Sequence, residues 1–444
     1  MRLTLLLFVI VAIGGCSTSE VLVAHSVELV PPPETYPEAE LLDVAVVVFD
    51  SGVPKGELDR AVVEELMQDG TFVQIRRAEA MFLAVKLRDA LQNSGHWGSV
   101  WVTPQESTAV DLNVRAEILQ SDGNVVELRV RARDATGRVW LAKDYDMATA
   151  ASAFNRQRYP TLDPYQDLLN RIANDLAGYR ASVATETIAD IQTVGELRYA
   201  SELSPEAFGE YLSESGGGVF EPERLPAAGD PTLQRTRSVR QREHLFFETL
   251  DQYYEEFMLQ AAESYDGWRE YSREDSLRLE EAARAAKMRT GLGALAIAMS
   301  IVYGNQSDSN SLADRMLADA GLYIGGDLLR SAAVRRQERR LHTQSLQELA
   351  ESFDDDVKPL VVEIQGTQHR LTGTADSQYE EWQDLIHQLF ISETGFIPEE
   401  IEVYAEPEPE IETGAPPDAA SAPNSGSESQ EAVPDASGGT EADA

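Results

Sequence analysis

The order of apolar and polar positions divides the chain into recognisable elements. LDVAVVVFD (42–50) is a continuous, β-branched apolar run closed by acidic residues, which predicts a buried strand. Helical spacing follows in 57–67 and again in 78–92, where Leu83, Ala84, Leu87, Ala90 and Leu91 recur at steps of three and four and form one apolar face. WGSVWVTP (97–104) reads as a further strand, stopped by Pro104. Val110, Leu112, Val114, Ala116 and Ile118 then alternate with polar residues. VVELRVRARD (125–134) alternates again, and RVWLAKDYDM (138–147) follows. Ser121-Asp122-Gly123-Asn124 and Ala135-Thr136-Gly137 supply the turns between them. Period-two alternation joined by tight polar turns predicts an antiparallel meander with one buried and one wet face.

Beyond the meander the period changes. DPYQDLLNRIANDLAGYRA (163–181) predicts a helix, with Asp163 as its cap, Pro164 at its first position and an apolar side at Leu168, Leu169, Ile172 and Leu176. Residues 183–238, with several prolines and Gly216-Gly217-Gly218, read as an irregular connector of loops and short helices. From Phe247 a seam with alternating steps of three and four runs through Leu250, Tyr254, Phe257, Ala261, Ser264, Trp268 and Tyr271. Two readings of that seam stay open. One is packing inside a helical bundle, favoured because aromatic rings are bulky for a two-stranded coiled coil. The other is a face for a partner or for self-association, carried by Phe247, Leu250, Tyr254, Phe257 and Trp268. GLGALAIAMSIVYG (291–304) and ADAGLYIGGDLL (318–329) are rich in small residues, which let helices approach closely. Residues 291–329 therefore read either as a packed core hairpin or as a glycine-zipper pair that inserts into a membrane. The first run is about 14 residues, the length of a core helix rather than a span. PLVVEIQGTQHRLTGT (359–374) predicts a hairpin, and 375–393 a helix with Tyr379, Trp382, Leu385, Ile386 and Leu389 on its apolar side.

These elements make an α+β protein. An N-terminal antiparallel-sheet α+β domain with a trailing helix (42–182) is followed by the connector (183–238) and a largely α-helical bundle region (239–353). A small C-terminal β-hairpin and helix (354–403) come next, then a tail (404–444) with ten acids, six prolines and no Lys or Arg, whose composition predicts disorder. The strand VAVVVFD, the helix FLAVKLRDAL, the strand VDLNVRAEI and the hairpin VVELRVRARDATGRVWLAKDY together resemble the N-terminal domain type of TolB. Curli-secretion lipoproteins, penicillin-binding-protein activators and auxiliary lipoproteins of ABC-type lipid transport share that general pattern. The resemblance covers about a quarter of the chain and consists of apolar alternation, so it transfers no functional residue. It implies an adaptor domain that touches other envelope proteins.

The N-terminus changes the picture most. Arg2 precedes an apolar run from Leu3 to Ile13, then Gly14, Gly15 and Cys16. A positive start, a short apolar core and small residues before a cut site mark an export signal. Ile13-Gly14-Gly15-Cys16 resembles a bacterial lipobox, with Ile13 where that family prefers Leu. The resemblance implies removal of residues 1–15, lipidation of Cys16 and a membrane anchor. Cys16 is the chain's only cysteine, so the fold cannot rely on a disulfide. Ser17, in place of the Asp that retains lipoproteins at the inner membrane, implies an outer-membrane anchor facing the periplasm. The Pro-rich stretch 16–41 reads as an extended tether.

Composition narrows the partners. With 37 basic and 76 acidic residues among 444, the formal net charge is −39. Phosphate backbones are repelled by such a chain, so nucleic acid is not an expected partner. Other envelope proteins, of unknown identity, are.

No catalytic constellation stands out. The six histidines, His25, His96, His244, His342, His369 and His387, lack metal spacing. There is no GxSxG elbow, and Gly216-Gly217-Gly218 lacks the Lys-Ser/Thr of a phosphate loop. Asp354-Asp355-Asp356 lacks the spacing of a calcium loop. The expectation is a non-enzymatic protein with no cofactor and no metal. Two arginine clusters, at 235, 237, 240, 242 and at 335, 336, 339, 340, carry forks suited to carboxylates or phosphates. The plainer expectation is that they pair with the chain's own glutamates.

Overall fold

The computed structural model describes residues 27–54, 58–68, 71–154, 163–288, 344–345, 348, 360–364 and 367–394. In chain order these form β1 (Val44–Val47), α1 (Arg60–Gln68), α2 (Val73–Ser94), β2 (Val100–Thr103), β3 (Leu112–Ser121), β4 (Val125–Asp134), β5 (Val139–Ala148), α3 (Gln166–Ser182), α4 (Thr185–Leu203), β6 (Leu212–Ser215), β7 (Val219–Pro222), α5 (Pro231–Met288), β8 (Leu360–Ile364), β9 (Thr367–Leu371) and α6 (Ala375–Thr394).

Five strands form one sheet in the order β2-β1-β3-β4-β5. The meander β3–β4–β5 is antiparallel, as its alternation predicts. β1 joins it in parallel and pairs in parallel with β2 on its other side, so the sheet is mixed. The sequence of β1 explains its place: all four residues are buried, which suits a central strand covered on both faces. A parallel neighbour needs a crossover, and α2 lies within the one between β1 and β2. α2 runs longer than the expected 78–92 and ends at Gly95, whose φ of 75° is the left-handed conformation that glycine adopts without strain.

α2 packs against β1, β2 and α3, and α3 packs against β5. In the middle of the sheet, Leu112, Val114 and Ile118 of β3 and Leu128 and Val130 of β4 are buried. The helix expected at 163–181 is α3. Asp163 does help start it, accepting the Tyr165 N–H at 2.8 Å.

Three parts differ from the sequence reading. The expected connector contains α4, a 19-residue helix that buries Ile188, Ile191, Val194, Leu197 and Ala200. Its threonines and Gly195 disfavour helix locally, and burial of one face overrides them. Gly216-Gly217-Gly218 forms the turn of the hairpin β6–β7. The expected bundle begins as one 58-residue helix, α5, laid on the α+β domain. Asp230 caps α5, its carboxylate accepting the N–H groups of Thr232 (2.8 Å) and Leu233 (3.0 Å), with Pro231 at the first position. The expected C-terminal hairpin and helix are β8–β9 and α6. α6 docks on α5, with Trp382 stacked on Phe246 at 5.0 Å and 3°.

The third difference concerns the tether. Residues 27–41 lie on the body as a strap. Asn170 donates to the Val27 carbonyl (2.8 Å), and Asn174 donates to Glu28 (2.8 Å) and accepts from the Val30 N–H (2.9 Å). Arg180 donates to the Glu40 carbonyl (2.7 Å) and sits 4.2 Å over the Tyr36 ring. Residues 167, 170 and 174 share one face of α3 by helical spacing, and all three side chains bind strap backbone.

Cys16, His25, Asp354-Asp355-Asp356, the small-residue segment 291–329, the arginines at 335–340 and the tail 404–444 lie outside the described residues. Among the described residues no helix is long and apolar enough to cross a membrane.

Candidate interaction surface

The seam proposed for packing or a partner is occupied from within. Phe247, Leu250, Tyr254, Phe257 and Trp268 are each at most 5 % exposed. Trp101 of β2 lies 5.8 Å from Phe247, and Tyr379 of α6 lies at the same distance on that ring. The sheet, α2 and α6 thus take up this face, and it is not open to another chain.

Polar groups pin the same helix at fixed points along its length. Fully buried Arg269 donates to both carboxylate oxygens of Asp163 at 2.9 Å and also pairs with Asp266. Its guanidinium lies 4.2 Å over the Tyr265 ring and 4.8 Å over Tyr165. Burial pushes the Asp163 carboxyl up, but the charge and hydrogen bonds of Arg269 outweigh it and hold the group below the usual range. Next to this pair, fully buried Glu79 accepts hydrogen bonds from Ser121 and Tyr265, each 2.5 Å, with Arg76 3.3 Å from its other oxygen.

Glu243 lies further up the helix, 2 % exposed, among three hydroxyls: Tyr199 (2.8 Å), Tyr379 (2.9 Å) and Ser107 (3.1 Å). Burial pushes its carboxyl up, against the three hydrogen bonds. Asp251 caps the open edge of β2 by accepting the Val102 N–H at 2.8 Å and pairs with Arg88. Burial pushes it up to about 6. Arg240 donates to the Ala109 carbonyl (2.7 Å) and to Asp111 (3.2 Å), and Arg237 pairs with Glu196. These two members of the first arginine cluster therefore pair within the chain, as the plainer expectation has it.

Each of these charges is met by partners within the chain. Ser107 donates to Glu243 at 3.1 Å, and both side chains are buried. His244 bonds the Ala109 carbonyl at 2.7 Å rather than a nucleophile, and His96 bonds the Val30 carbonyl at 2.9 Å. Among the described residues no group of three or more His, Cys, Asp or Glu is arranged to hold a metal ion.

What remains open is the other half of the sheet. α5 covers β2 on that side through the contact of Trp101 with His244 and Phe247. The outward residues of β3 and β4 stay uncovered. Register pairs Asn113 with Arg133, Arg115 with Arg131 and Glu117 with Arg129. Arg131 and Arg133 are exposed, two residues apart on one face. A trough of about 1900 Å³ runs over them, bounded by α1, the start of α2, Arg198 of α4 and the start of α6. Small-molecule pockets are about 300–1,000 Å³ and enclose their ligand. This trough is larger and open, which suits a polypeptide segment.

The sequence reading marked the wet face of the meander but did not single out these arginines. Their alternation in VVELRVRARD was the available signal. It also missed the buried pins. Their signal was a charge on an apolar stripe: Glu79 between Ile75 and Phe82, Glu243 between Val239 and Phe246, Arg269 beside Tyr265. No family model, no curated protein and no solved structure matches this chain.

Proposed function

We propose that the protein is a non-enzymatic lipoprotein, anchored in the outer membrane through Cys16 and facing the periplasm. It serves as an accessory or scaffold subunit of an envelope assembly, transport or cell-wall complex. The observation that carries this reading is the lone cysteine at the end of Ile13-Gly14-Gly15-Cys16, directly after an apolar export core. Several acyl chains on one residue give firm anchoring. Anchoring confines the folded body near the membrane and raises its effective concentration for partners there.

The strap limits the reach of that anchor. Eleven residue steps separate Cys16 from Val27, where contact with α3 begins. Fully extended they span at most about 40 Å. The body then works close to the membrane surface, not at the end of a long flexible arm.

The test is fractionation and crosslinked pull-down of tagged protein from its native host, wild type beside Cys16→Ala. The wild type is expected in the outer-membrane fraction with envelope proteins enriched on it. The variant is expected to leave that fraction and lose the enrichment. Equal membrane retention and equal enrichment in both would refute the anchored reading.

A further inference from the structure

We propose that the Arg131–Arg133 row is the docking site for an extended acidic segment of a partner protein, one that presents carboxylates at alternate residues. This deepens the scaffold reading above by placing the partner's contact on the protein, and it rests on that reading only for where the partner is found.

The argument starts from charge. The chain carries 76 acidic and 37 basic residues, so an uncompensated cationic row is a local reversal of sign. Arg129 is neutralised, held by both oxygens of Asp144 at 3.0 Å and lying 3.4 Å from Glu117. Arg115 has Glu106 at 3.7 Å, both side chains being about half exposed. Among the described residues Arg131 and Arg133 have no ion-pair partner and no hydrogen bond. Arg198 stands at the same end of the trough, its guanidinium bound to the Ala135 carbonyl at 2.8 Å and 4.4 Å over the Phe220 ring. In a chain with so many acids to spare, two arginines without a partner among the described residues, on the floor of an open trough, are suited to an outside carboxylate.

Geometry then selects the form of the partner. Side chains two apart on a strand are about 6.7 Å apart. A second extended chain has the same repeat, so carboxylates at its alternate residues meet Arg131 and Arg133 together. Guanidinium forks bind carboxylates through two parallel hydrogen bonds. An anionic membrane is a poorer fit, because a lipid surface faces the whole body and its charge of −39, whereas a single segment lies within a screening length of about 8 Å of the row.

The purified full chain is titrated against a fluorescein-labelled peptide of alternating glutamate and threonine, read by anisotropy. A peptide of the same composition with its glutamates in one block is the spacing control. The expected result is saturable binding of the alternating peptide, weaker binding of the block peptide, and a loss of about tenfold or more in the double variant Arg131→Glu/Arg133→Glu, since each charge-assisted contact removed is worth roughly that much. Arg278→Glu, a reversal at an arginine of α5 already paired with Glu274 and Asp275, is expected to leave affinity unchanged. Circular dichroism of the variants reports folding, and both sites are on the surface. The proposal is overturned if the wild type binds neither peptide, if the double variant binds as the wild type does, or if phosphatidylglycerol vesicles bind through these arginines and the peptides do not. Because the assay uses no membrane and no native host, its failure leaves the anchoring test standing, and the reverse holds too.

Discussion

Replacing Arg269 by Met is the sharpest probe of what holds α5 in place. Met keeps most of the volume and apolar contact with Phe82, Tyr165 and Tyr265 but removes the charge. Asp163 then keeps the Tyr165 N–H and loses both guanidinium bonds, while it remains buried. Breaking a buried pair by removing one partner costs about 3–5 kcal/mol, because an uncompensated charge is left behind. Against a total stability of about 5–15 kcal/mol for a typical fold, that is a large fraction. Urea denaturation followed by tryptophan fluorescence reads it, since Trp268 is adjacent to the site and buried. The partner substitution removes the stranded charge, so Asp163→Leu/Arg269→Met is expected to recover more than half of the loss.

The pH dependence makes the same prediction independently. In the wild type the Asp163 pKa is lowered, so its contribution is present above the ordinary carboxylate range and is lost as pH falls through the lowered value. Without Arg269 burial dominates and the pKa is raised. Protonation then relieves the stranded charge as pH falls from neutral toward about 4. The stability gap between wild type and Arg269→Met therefore narrows on acidification. A cost below about 1 kcal/mol, a double variant no better than the single one, or a gap constant between about pH 7 and pH 4 would refute the reasoning.

Two further outcomes follow from the same structure. Asp251 is pushed up to about 6 by burial, so the fold favours its protonated form more than the unfolded chain does. Stability from this group is present below the ordinary range and lost as pH rises through about 6. Asp251→Asn removes that dependence, and between about pH 4 and pH 7 the wild-type curve should fall relative to the variant's by on the order of 2–3 kcal/mol, read as urea midpoints. Asn170→Ala/Asn174→Ala removes three strap hydrogen bonds, each worth about 0.5–1.5 kcal/mol net. Proteolysis within 27–41 should accelerate several-fold while the global midpoint shifts little, and unchanged cleavage would show that the strap is held otherwise.

Elements with one dominant period were legible. The meander, α3, the core of α2, the C-terminal hairpin and α6 all lie where alternation or three-four spacing places them. Parallel pairing was not legible, since β1 reads as a buried strand in either direction. α4 was missed because its residues are locally poor helix formers and only packing decides the matter. The strap was missed for a related reason. Proline and glutamate in 31–40 argue for extended chain, and they are right about the backbone, but nothing in them names the asparagines of α3 that bind it. In the candidate site, exposure of Arg131 and Arg133 follows from alternation. Their lack of a partner among the described residues depends on where Glu106, Glu117 and Asp144 point, which no pattern along one chain records.

A seam of steps three and four has a weakness that the buried charges address. Apolar side chains tolerate sliding, so α5 shifted by one turn still buries much the same area against β2 and α2. Charged groups do not tolerate it. Arg269 must meet Asp163, Asp251 must meet Arg88 and the Val102 N–H, and Glu243 must meet three hydroxyls from α4, α6 and the β2–β3 loop. Apolar residues of equal volume hold as firmly as a buried pair, so strength alone does not account for three polar pins on one helix. We take register as their role, as a hypothesis that the Asp163→Leu/Arg269→Met variant tests beyond stability. With stability regained but one pin removed, hydrogen exchange at Val102 should quicken relative to the wild type, because the helix that caps this edge gains freedom to slide. Identical protection at Val102 would count against register. It would leave the rigidity of the body as the work of the apolar seam alone.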